Sequence, residues 1–142
     1  MDTSEFFDTV VKHNYQEFTT NPDDFRSLWN AIISMNSVPE YMALDQLGYA
    51  QVSRDQLAHT ANQIRNKDQS LIDLKFCAEA LKHVRKIPPK HSVTLNVTPT
   101  SNPVIVTSTG VSSIARATWT INSHDLTDVA HRAFKALSAL VR

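Results

Sequence analysis

Glycine and cysteine are nearly missing from this chain: its 142 residues include two glycines and one cysteine. With so few residues that tolerate a positive φ at hairpin turns, a many-stranded sandwich or barrel is excluded, and helices should dominate. Cys77 has no partner within the chain, which excludes a disulfide framework and removes any argument for an oxidising compartment. No apolar run is long enough to cross a bilayer. The opening residues Met1-Asp2-Thr3-Ser4-Glu5 are acidic and polar, where a secretion signal is basic and then apolar. A cytoplasmic protein without membrane contact is the expectation. The chain also has no Cys-x-x-Cys pair, no glycine-rich phosphate loop and no arguable Ser/His/Asp constellation, so no cofactor is predicted.

What is present suffices for one core. Hydrophobic residues make up 42% of the chain, and its length fits a single domain over 1–142. The expected class is α+β: a mainly helical bundle of about five helices over 1–88, then a three-stranded antiparallel meander and a closing helix over 91–142.

Charge is balanced overall but not along the chain. Residues 1–73 carry eleven acids against five Lys or Arg, a net of −6, and residues 74–142 carry three against nine, a net of +6. This polarity suits an anionic partner for the C-terminal half or head-to-tail self-association, unless folding interleaves the two halves.

The apolar periodicity sets the helices. Phe7, Val11, Asn14 or Tyr15, and Phe18 recur at helical spacing, so the first helix should run from Asp2 or Thr3 to about Phe18. Asn21-Pro22-Asp23-Asp24 reads as a cap, a proline where a missing N–H costs nothing, and two acids that complement the helix dipole. Phe25, Leu28, Trp29, Ile32 and Ile33 form the stripe that follows. Ser37-Val38-Pro39-Glu40 reads as a fresh capping box, predicting that a third helix restarts there and ends at Gly48.

Ser53 to Gln56 is another capping box, opening a helix whose Leu57, Ala61 and Ile64 face inward. The helix from about Ser70 to Ile87 is apolar around most of its circumference, Ile72 and Phe76 included, and should be the central one. Beyond Pro88-Pro89 the period becomes two. Val93, Leu95 and Val97 form one expected strand, Val104 to Thr109 a second after a loop at Pro99–Pro103, and Ala115, Ala117, Trp119 and Ile121 a third. A last helix should begin at Asn122 or Ser123 and cover the sheet. Trp29, Leu74, Phe76, Leu81, Trp119 and Phe134 are the expected core markers.

Three patterns carry candidate chemistry. Arg54-Asp55-Gln56-Leu57-Ala58-His59 has an arginine, a polar residue and a histidine five positions on. It resembles the catalytic motif of the HEPN (higher eukaryotes and prokaryotes nucleotide-binding) superfamily, helical bundles that include metal-independent ribonucleases. The resemblance implies that Arg54 stabilises the scissile phosphate and that His59 is the general acid or base, in a site shared by two subunits. The alternative is an exposed arginine and histidine on a polar helix face.

A second resemblance joins Ala80-Leu81-Lys82-His83, the strands and the closing helix to small bacterial and phage proteins without assigned activity. It implies architecture alone. Lys82, His83, Arg85, Lys86, Lys90 and His91 crowd one stretch and could bind an anion such as a nucleic-acid phosphate. Basic residues in a last helical turn also neutralise the helix dipole, and no aromatic is interleaved for base stacking. His124, Asp128 and His131 have metal-like spacing, but helical periodicity puts them with Lys135 on a solvated face, so no metal site is predicted. The favoured function is a small cytosolic module that binds a protein or itself, belonging to a bacterial or phage defence or regulatory system. A HEPN-like ribonuclease is the alternative.

Overall fold

A computed structural model describes residues 1–83, 95–107, 110–121 and 123–142, with 95–107 and 110–118 at the level of the backbone. The chain is mainly helical, with an antiparallel sheet ahead of the C-terminal helix. Helical backbone runs from α1 (Thr3–Phe6) through a π-helical turn (Phe7–Val11) into α2 (Lys12–Thr20). The Asp2 carboxylate accepts from the Glu5 N–H and caps the start. Phe7, Val11 and Phe18 are buried, as their spacing predicts.

α3 (Phe25–Leu47) corrects two expectations. Its cap is Asp24, whose carboxylate accepts from the Arg26 N–H and the Ser27 hydroxyl, so the helix starts after the Asn21-Pro22 signal. The restart at Pro39 does not occur: one helix of 23 residues contains this proline. Both side chains of the expected capping box are engaged elsewhere. The Ser37 hydroxyl donates to the Ile33 carbonyl, and Glu40 accepts from Arg65. A proline inside a helix leaves the preceding turn short of a backbone donor. The carbonyl that Pro39 leaves without an N–H is that of Met35; at the next residue the Arg65 guanidinium donates to the Asn36 carbonyl at 3.1 Å, which ties α4 (Arg54–Arg65) to α3.

The capping box of α4 forms as expected: the Gln56 N–H donates to Ser53 Oγ, and the Ser53 N–H donates to Gln56 Oε1, both at 3.1 Å. α5 (Gln69–His83) buries Leu71, Leu74, Cys77, Ala78 and Leu81. Ile72 departs from the expected apolar circumference, being 39% exposed. Of the expected core markers, Leu74, Leu81 and Trp119 are buried, whereas Trp29, Phe76 and Phe134 are partly buried against the core.

The sheet differs from the expected meander. β1 (Leu95–Thr107) joins Leu95 and Val97 of the first expected strand to residues 104–107 of the second, while Val93 of the first and Ser108 and Thr109 of the second lie outside the described residues. It pairs antiparallel with β2 (Gly110–Ile121), from Leu95 opposite Ile121 to Thr107 opposite Gly110. The Pro99–Pro103 stretch is part of β1. One extra β1 residue is accommodated between Ser101 and Val104, which returns Val104 and Val106 to the register parity of Leu95 and Val97. The order β1-β2-β3 leaves β1 at the edge, where a strand admits proline.

β3 (His124–Asp125) adds two residue pairs to the end of β2. The turn into it holds Ser123 at φ 68°. These residues are thereby used in the sheet, and α6 (Leu126–Leu140) starts later than expected, capped by the Asp125 carboxylate on the Thr127 and Asp128 N–H groups. α6 buries Leu126, Val129, Ala130, Ala133 and Leu137 against α3 and α5. Trp119 and Ile121, at the end of β2, join the same core.

Candidate functional site

Arg54 and His59 both lie on α4, one at its first residue and one in its second turn, and both are exposed. Five residues on a helix turn through about 500°, so the two side chains leave the axis about 140° apart. No hydrogen bond or ion pair joins either to another of the described residues. Within one chain, therefore, they do not converge on a common phosphate position.

Lys82 and His83 are exposed at the last two residues of α5. Arg85, Lys86, Lys90 and His91, the rest of the basic cluster, lie outside the described residues. The residues with metal-like spacing have separate partners. His124, in β3 and not on the last helix, is 5.7 Å from Phe76, ring to ring. Asp128 accepts from Arg132 at 2.8 Å, and His131 Nδ1 lies 2.5 Å from the Tyr15 hydroxyl. Among the described residues, no group of three or more His, Cys, Asp or Glu could hold a metal ion.

Two polar clusters are not among the sequence-derived constellations, although the spacing of His131, in the second, singles that residue out. At one end of α3, Asp45 accepts from the Thr3 N–H at 3.0 Å, the Thr3 hydroxyl at 2.5 Å and the Tyr49 hydroxyl at 2.7 Å. The Thr3 hydroxyl, followed by that of Tyr49, holds the Asp45 carboxyl below its ordinary range, and the Tyr49 phenol is raised in turn by its bond to Asp45. At the other cluster, Tyr15 stacks on Phe134 with ring centroids 3.8 Å apart and meets His131 edge-on. Burial raises the Tyr15 phenol. These contacts join residues 42 and 116 positions apart, so local spacing carries no trace of them.

An open groove of about 410 Å³ lies between the start of α5 and the second half of α6, lined by Asp68, Gln69, Ser70, Arg132 and Lys135. Its charges are largely spent within the fold. Asp68 accepts from the Ser70 N–H and hydroxyl, and the hydroxyl bond chiefly lowers its carboxyl. Arg132 bonds Asp128 and Asp73. Cys77 is no nucleophile: it is fully buried, and burial pushes its thiol up to about 12. The described residues thus contain exposed cations and polar clusters in which a hydroxyl meets a base, Thr3 on Asp45 and Tyr15 on His131, each joining distant segments of the chain. No protein-family model, no curated protein and no solved structure matches the chain.

Proposed function

We propose that this chain is a small cytosolic binding module, acting through contacts with a protein or anionic partner in a bacterial or phage defence or regulatory system. The β1–β2 hairpin is the observation that supports this reading. The thirteen residues of β1 extend about 43 Å at the usual rise of a strand. The fifteen residues of α6, against which the end of β2 packs, extend about 22 Å. α6 can therefore line only about half of the hairpin, and the remaining length is the surface offered to a partner or to a second copy. Residues 92–115 contain no charged side chain, which suits a protein surface. The basic residues just before them, Lys82, His83, Arg85, Lys86 and Lys90, suit phosphates or acidic groups and supply the anionic arm of the reading.

The ribonuclease alternative is favoured by one observation: Arg54 and His59 are both exposed and accessible to RNA. Their divergence on α4 requires a two-fold dimer to assemble a site from both subunits. Incubating single-stranded RNA with the parent chain and with His59→Ala separates the readings. A binding module gives the same background degradation from both, at equal thermal stability. Cleavage by the parent that His59→Ala loses, and that a chelator does not inhibit, would establish the nuclease instead.

A further inference from the structure

We draw no further inference here: the strongest candidate, the face of the β1–β2 hairpin on which the register aligns Leu95, Val97, Val104 and Val106 with Val111, Ala115, Ala117, Trp119 and Ile121, carries nothing because nothing in the structure shows what covers it beyond its Trp119 and Ile121 end.

Discussion

Leu81, Cys77 and Arg65 are all buried, the first two in the hydrophobic core along α5 and the third through polar contacts with α3. Leu81 is 2% exposed in the main core, so Leu81→Ala should lower unfolding stability by about 2–5 kcal/mol, as read from denaturant curves. A change near zero would mean that α5 is not central. Cys77 should resist a thiol reagent in the folded chain at mildly alkaline pH and react fully in denaturant. The sign of its pH dependence follows from the same burial. The folded thiol ionises only near 12, against 9.0 for the ordinary group, so above about pH 9 the unfolded chain alone gains a thiolate. Stability from this group is complete below that pH and is lost as the pH rises toward 12, which an alkaline unfolding titration compared with Cys77→Ala would read. Arg65 is a residue that periodicity could not find. Its guanidinium bonds Asn36, Asn62 and Glu40, partners three to 29 positions away. Its Nε and the Asn36 side-chain oxygen are buried without a partner among the described residues. Leu74, Leu81 and Trp119 were legible as core because apolar stripes alone bury them, whereas Ile72 sits where α5 meets solvent, a fact set by neighbours and not by its own helix.

At the scale of elements, local signals were trustworthy where nothing distant competed with them. The Ser53–Gln56 box is exposed and self-contained, and it forms as the sequence predicts. Ser53→Ala should therefore cost about 1 kcal/mol, with the loss appearing as faster hydrogen exchange in the first turn of α4. No effect on stability or exchange would show that packing on α3 holds α4 without its cap. The equally good box at Ser37–Glu40 fails because Val38 and Pro39 are buried in the middle of α3, where Ser37 bonds backward and Arg65 reaches in from α4. The hairpin departs from its local signal for a related reason. Two prolines suggested a loop, but an edge strand with one extra residue accommodates them and keeps the alternation of Val104 and Val106 in phase with Leu95 and Val97. α6 starts later than its local signal because the turn at Ser123 and the pairing of β3 depend on β2.

For the whole molecule, the helical class and the antiparallel sheet ahead of the closing helix were readable from the change of period alone. The candidate site was legible in part. The spacing of Arg54 and His59 on a predicted helix already implies side chains about 140° apart, and α4 forms where the Ser53 box places it, so their divergence is legible. The Asp45 and Tyr15 clusters arise only when distant segments meet. On this account the helices form a scaffold and the hairpin makes the functional contact. Photo-crosslinking the full chain in cells tests that most directly, with the reactive residue placed in turn at Val104 in β1 and Ser113 in β2, which pair with each other in the length that α6 does not reach, at Ala58 beside His59 in α4, and at Gln16 in α2 as a control. The account predicts adducts of one discrete mass from Val104 or Ser113, and none from Ala58 or Gln16. Adducts from Ala58 alone, above all RNA adducts, would contradict it.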